Sequence, residues 1–198
     1  MNRYTISFVF SIILVVSCMT YSFHQPHTFW YIYSFTMLVS AIFSKTFLKV
    51  YDELSTFKYL ISGLLLGGIG YACIFGLYLL LPENAERAVQ HFLVHFAPTT
   101  LFEYLMLILI IALTEELFWR GYVQGFLMKY MRTSFAIVTA ALLFSLPFLF
   151  NGFYLCSVAT FICGIVFGIL YERLRSMPLL VITHISLISL LFILLPLY

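Results

Sequence analysis

Seven mostly apolar stretches follow one another along the chain, at roughly 4–22, 28–47, 59–81, 100–126, 134–151, 154–171 and 178–197. A helix that crosses the hydrocarbon core of a bilayer needs about 20 such residues. In lipid each backbone N–H and C=O must find its partner within the segment, which leaves helices as the spanning form for runs of this length. The expectation is an all-α, polytopic membrane helical bundle of about seven transmembrane helices. Composition rules out the soluble alternative. Hydrophobic residues make up 63% and charged residues 9% of the 198 positions, whereas a soluble domain carries about 25% charge. The net charge of +2 and the lack of a basic run give no footprint for nucleic acid. No repeat or low-complexity tract divides the chain, so one integral membrane domain is expected over 1–198.

The breaks between spans are polar and short. They are His24 to His27, Lys45 to Lys58, Pro82-Glu83-Asn84, Lys129 to Arg132, Asn151-Gly152 and Glu172 to Pro178. Arg3 before an apolar run resembles a signal peptide, yet residues 5–21 hold no small-x-small cleavage site before His24. A retained first span is expected. With the N-terminus inside, the inner segments and inner helix ends collect Arg3, Lys45, Lys49, Lys58, Arg120, Lys129, Arg132, Arg173 and Arg175, and the outer ones only Arg87. That asymmetry follows the positive-inside rule. It predicts a multi-pass protein of the plasma (inner) membrane with the C-terminus outside.

Residues 83–99 form the one sizeable outer loop. His91 and His95 stand four apart, a spacing that shares a helix face, but no Glu or Cys clearly completes a metal site. An interfacial amphipathic helix is the stronger expectation. The cysteines Cys18, Cys73, Cys156 and Cys163 lie in apolar stretches without a C-x-x-C pair. They predict buried inert thiols rather than zinc ligands or disulfides. Glycines gather at Gly63, Gly67, Gly68 and Gly70, and again at Gly164 and Gly168. Small residues let helices approach closely in lipid, so these are assigned to packing.

Chemistry concentrates in the fourth span, in Thr114-Glu115-Glu116-Leu117-Phe118-Trp119-Arg120-Gly121. A mid-helix acid costs about 2.5–3.5 kcal/mol to insert into the bilayer, and intramembrane ionisable groups are functional by default. Glu116 and Arg120 can pair at i,i+4. Glu115 points about 100° away, has no local partner, and would face a water-filled cavity as a general base. The competing reading is a structural ion pair that pins two helices. His184, in Val181 to Ser186 of the last span, is the second polar point. It is read either as a packing residue or as part of a site with Glu115, in a cavity between spans four, five and seven that opens inward.

Glu115-Glu116-x-x-x-Arg120-Gly121 resembles the first motif of the CAAX protease and bacteriocin-processing (CPBP, or ABI) family, which includes membrane peptidases that trim prenylated CAAX proteins. Gly164-Ile165-Val166-Phe167-Gly168-Ile169-Leu170-Tyr171-Glu172-Arg173 matches the G-x-x-x-G-x-x-x-E/R lead-in to that family's third motif. The resemblance covers roughly 100–190, taken as a CPBP-like catalytic core. It implies an intramembrane glutamic-type endopeptidase with a site of Glu115, Glu116, Arg120 and His184. Glu115 would be the base, His184 an oxyanion donor, and Arg120 the holder of Glu116, with no cofactor or metal. The implied partners are the lipid bilayer and a peptide or protein substrate such as a sorting signal, a prenylated tail or a leader peptide. Two positions depart from the pattern. Phe148, in Phe144-Ser145-Leu146-Pro147-Phe148, stands where the second motif has histidine, and Ile188 where the third has asparagine. Asn151 and Ser189 are the nearest polar neighbours of those positions in sequence. A noncatalytic immunity or regulatory relative, and a small transporter using the glutamate pair, are the alternatives. Neither G-x-S-x-G nor H-E-x-x-H occurs, so the serine and zinc routes lack their motifs.

Overall fold

A computed structural model describes residues 3–45 and 50–197. Among these residues the chain forms eight helices: α1 (Arg3–Ser22), α2 (Phe29–Ser44), α3 (Thr56–Tyr78), α4 (Glu83–Phe96), α5 (Leu101–Leu127), α6 (Thr133–Phe150), α7 (Tyr154–Leu174) and α8 (Met177–Leu194). The protein is an all-α polytopic membrane bundle. Helices α1, α3, α6, α7 and α8 are each long and apolar enough to cross a membrane, and the bent pair α4–α5 adds a sixth candidate. The seventh expected crossing is α2. Its 16 described residues fall short of about 20, and the end of that expected span, with Lys49, lies outside the described residues.

Local chemistry sets the helix ends. Helix α5 opens on a capping box, in which Thr100 Oγ1 accepts the Glu103 N–H at 3.3 Å and the Glu103 carboxylate accepts the Thr100 N–H at 3.0 Å. That satisfies two amides that a helix start leaves unpaired, and it fixes the 103° bend between α4 and α5. Helix α8 starts with Ser176 Oγ accepting the Leu179 N–H at 3.3 Å, with Pro178 in its first turn. Between α6 and α7, Gly152 takes φ +78°, which costs a glycine nothing. The 83–99 loop contains the expected amphipathic helix. Leu93 and Phe96 of α4 are buried, while Glu83 and Arg87 pair on the exposed side.

The helices pack as two groups around α5. One apolar cluster joins α1, α2, α5 and α6, and a second joins α3, α7 and α8. The glycines mark the closest approaches. A Cβ on Gly67 would lie 2.4 Å from Ser186 Cβ and 2.8 Å from the Thr183 carbonyl of α8, and one on Gly164 would lie 2.8 Å from Ala141 Cβ of α6. Gly67→Leu is therefore expected to push α3 off α8 and cost about 1–3 kcal/mol, read as a lower melting temperature in detergent. Gly68→Leu, with nothing within 4 Å of its Cβ, should melt like the wild type. Equal melting of the two variants would refute the packing role. The thiols differ from expectation. All four are free, but Cys73 is exposed and the others half-buried, because their helices turn those positions toward the apolar surroundings rather than into the bundle.

The ends of the bundle are unlike in charge. At one end Phe8 stacks on Phe126 at 4.0 Å, Gln124 reaches Glu172 at 3.1 Å, and Arg175 bonds Glu53 at 2.7 Å. The Met177 N–H to Tyr51 carbonyl bond at 2.7 Å straps the α2–α3 connection onto the α7–α8 turn. Arg3, Lys45, Lys58, Lys129, Arg132, Arg173 and Arg175 thus gather at this end. The other end is held by rings: Phe23 contacts Phe29, Phe92, Phe96, Phe148 and Phe153. Arg87 belongs to this end.

Candidate active site

Glu115 and Glu116 lie near the middle of α5, between two stretches of π-helix, Met106–Ile111 and Leu117–Gln124. π turns are rare and are frequently found at functional sites. Neither carboxylate faces lipid: Glu115 is 4% exposed and Glu116 0%. Arg120 Nη1 donates to Glu116 Oε1 at 3.1 Å. Its guanidinium lies 5.0 Å from the Phe144 ring of α6 and 5.2 Å from the Phe167 ring of α7. An arginine packed on two aromatic faces and paired with one carboxylate keeps its charge at a tolerable cost in apolar surroundings.

His184 enters from α8. Its Nδ1 is 2.8 Å from Glu116 Oε1 and its Nε2 is 3.8 Å from Glu115 Oε2. The imidazole therefore stands between the two carboxylates, with the Phe167 ring edge-on at 5.7 Å. Two of the close contacts of α3 on α8, at Ile182 and Ser186, flank His184 in sequence, so α3 braces the helix that carries it. The four residues singled out in the sequence, Glu115, Glu116, Arg120 and His184, are brought into one cluster.

The surroundings of Glu115 come from other helices. Among the described residues it has no partner on α5, as its spacing implies, and the Tyr33 hydroxyl of α2 donates to its Oε1. Helices α2 and α8 and the rest of α5 close around it and leave it 4% exposed. Tyr33 is the residue that sequence reasoning missed. It is one of 14 tyrosines in an apolar chain, and no local pattern distinguishes it. The two departing positions are also placed. Phe148 sits in the aromatic cluster, 5.1 Å from Phe23 and 6.0 Å from Phe92 between ring centres, and Ile188 is buried in the apolar core. Asn151 does not stand in for a missing group, because its Nδ2 donates to the Thr20 and Pro147 carbonyls. Among the described residues no group of three or more His, Cys, Asp or Glu side chains could hold a metal ion.

A polytopic helical bundle with two carboxylates, a histidine and an arginine clustered between its helices has the makings of an intramembrane hydrolase. The family model described as Type II CAAX prenyl endopeptidase Rce1-like matches residues 96–190. That segment, which runs from the end of α4 into α8 and contains all four clustered residues, is similar to the Rce1-like family, in keeping with its CPBP-like motifs. That is a family of intramembrane proteases. No curated protein and no solved structure matches the chain.

Proposed function

We propose that this protein is an intramembrane glutamic-type endopeptidase that cleaves a membrane-proximal peptide, with Glu115 as general base and His184 as its partner. The observation that carries the reading is the placement of His184 between Glu115 Oε2 and Glu116 Oε1, at 3.8 and 2.8 Å. With its Nδ1 proton given to Glu116, the ring leaves Nε2 for the reaction, in the way a carboxylate fixes a catalytic tautomer. A water within about 2.6–3.2 Å of both Glu115 Oε2 and His184 Nε2 forms the apex of a triangle on the 3.8 Å edge. Glu115 takes a proton from that water as its oxygen adds to the scissile carbonyl carbon. The proton passes to Nε2, which then donates to the oxyanion. The same proton finally goes to the amide nitrogen as the C–N bond breaks, restoring Glu115 and His184. Arg120 holds Glu116 in place. No metal enters these steps.

The prenyl endopeptidases of that family suggest the first probe, a farnesylated peptide ending in a CAAX sequence, presented in liposomes with the purified protein. Sorting signals and leader peptides are the other substrate forms to present in the same way. Wild type should cleave, and Glu115→Gln should not. A competing reading, a noncatalytic immunity or regulatory protein, is favoured by Phe148 and Ile188, whose side chains can neither bind water nor donate to an oxyanion. Cleavage by wild type and Glu115→Gln at equal rate would exclude Glu115 as the base, and no cleavage by wild type of any of these substrates would leave the noncatalytic reading.

The basic end of the bundle is assigned to the inside of the plasma (inner) membrane, which puts the N-terminus inside and, with seven crossings, the C-terminus outside. An impermeant maleimide added to intact cells should label Ala85→Cys and leave Tyr130→Cys unlabelled. The opposite pattern would invert the orientation.

A further inference from the structure

We infer that Tyr33 is a positioning residue of the active site, one that orients the Glu115 carboxylate for catalysis from a helix outside the segment matched by the family. The inference rests on the peptidase reading given above. Helix α2 ends at Ser44, and the match begins at residue 96. Yet the Tyr33 hydroxyl donates to Glu115 Oε1, and among the described residues this is the one hydrogen bond the Glu115 carboxylate makes. His184 Nε2, at 3.8 Å from the other oxygen, is beyond direct hydrogen-bond reach.

A glutamate carboxyl turns about a broad, two-fold terminal torsion, and two helices alone would let it present either oxygen. A phenol has a single proton to give. By committing it to Oε1, Tyr33 leaves Oε2 as the oxygen facing His184, where the attacking water must be held. The ring is itself fixed, 6% exposed and 5.4 Å from the Phe29 ring.

A plain structural role would be to satisfy a buried phenol, as a buried tyrosine generally requires. Other tyrosines do that with the backbone or an uncharged side chain, as Tyr122 does with Ser11 Oγ at 3.2 Å, and Tyr78 does it with the half-buried Glu86 carboxylate at 3.2 Å. Tyr71 donates to the Leu195 carbonyl, Tyr104 to the Phe192 carbonyl, and Tyr171 accepts the Tyr51 N–H. Unlike Tyr78, Tyr33 bonds a carboxylate that is itself buried, and that carboxylate is the proposed base. Phe148, at the position of the missing second-motif histidine, is committed to Phe23 and Phe92. The orienting contact to Glu115 therefore comes from α2 rather than from α6.

The test uses the full-length protein in liposomes with the farnesylated CAAX peptide. Tyr33→Phe keeps the ring and removes the donor. It should lower kcat by about 10- to 100-fold, the scale of a misplaced reacting group, with KM and melting temperature unchanged. A second readout needs no substrate. The Glu115 carboxyl band, isolated as the infrared difference between wild type and Glu115→Gln, should shift in Tyr33→Phe. Should Tyr33→Phe fail to accumulate, 3,5-difluorotyrosine placed at position 33 preserves size and packing while altering the strength of the O–H donor, and it should shift both the band and the rate. A wild-type band together with wild-type kcat in either protein overturns the inference, even if Glu115→Gln is inactive and the peptidase reading stands. Conversely, if wild type cleaves nothing, the peptidase reading fails, and the band alone decides whether Tyr33 orients Glu115.

Discussion

Arg120→Ala is expected to deplete the folded protein from the membrane and to lower the melting temperature of what remains. Breaking a buried ion pair by removing one partner costs about 3–5 kcal/mol, because the remaining charge is left uncompensated. The site has little slack to absorb this. Glu116 is fully buried, its Oε2 already lacks a hydrogen-bond partner, and its Oε1 is shared between Arg120 and His184. Without Arg120, His184 is the one partner left to that carboxylate among the described residues, and the aromatic slot between Phe144 and Phe167 is left partly empty. For a chain of this length such a loss corresponds to a drop on the order of 10 °C. Removing both charges should hurt less than removing one, since well-packed apolar replacements for a buried pair are often neutral. Glu116→Leu combined with Arg120→Met should therefore melt above either single variant, giving a favourable coupling in a double-mutant cycle. If Arg120→Ala melts with the wild type, the pair does not hold the bundle together.

Glu115→Gln and His184→Ala are each expected to abolish cleavage of the farnesylated CAAX peptide to within detection, while leaving the protein abundant. General-base catalysis contributes about 10²–10⁴-fold. One oxyanion donor contributes about 2.7–4 kcal/mol, or roughly 10²–10³-fold. In this site the two functions are linked through one proton that travels from water to Glu115, to His184 Nε2 and on to the leaving nitrogen. Groups that act as a unit fail together, so the double variant should be no worse than either single one. Glu115→Gln keeps the shape of the side chain and an acceptor for the Tyr33 hydroxyl, so folding should survive. This separates it from Arg120→Ala, whose loss of activity follows loss of the protein. Additive losses in the double variant would mean that the two side chains act in separate steps, against the shared proton path.

What the sequence determined is the part governed by local cost. Runs of about 20 apolar residues in a chain with 9% charge require helices in lipid, because an open backbone cannot be satisfied there. The i,i+4 spacing of Glu116 and Arg120 placed them on one helix face, where they do pair. The G-x-x-x-G spacing of Gly164 and Gly168 predicted a close helix contact, and Ala141 and Ile137 of α6 occupy that space. The number of crossings was less legible. Helix α2 is short, and α4 meets α5 at 103°, a bend that hydropathy does not register.

Only the tertiary structure decided what meets Glu115. Tyr33 and His184 stand 82 and 69 positions away from it in the sequence, and neither spacing has a period that a helix would reveal. Their convergence depends on how α2 and α8 pack on α5, and that packing is set by the absence of side chains at Gly63 and Gly67, by the π turns within α5 and by the aromatic cluster at the far end. Phe148 shows the same dependence. The motif order assigned it to the site, but in the folded bundle its ring lies between Phe23 and Phe92. An apolar side chain gains more by burying its surface among other rings than by facing a cluster of charges. Sequence spacing encodes which residues share a helix face. Which faces meet is decided by packing energies summed over the whole bundle.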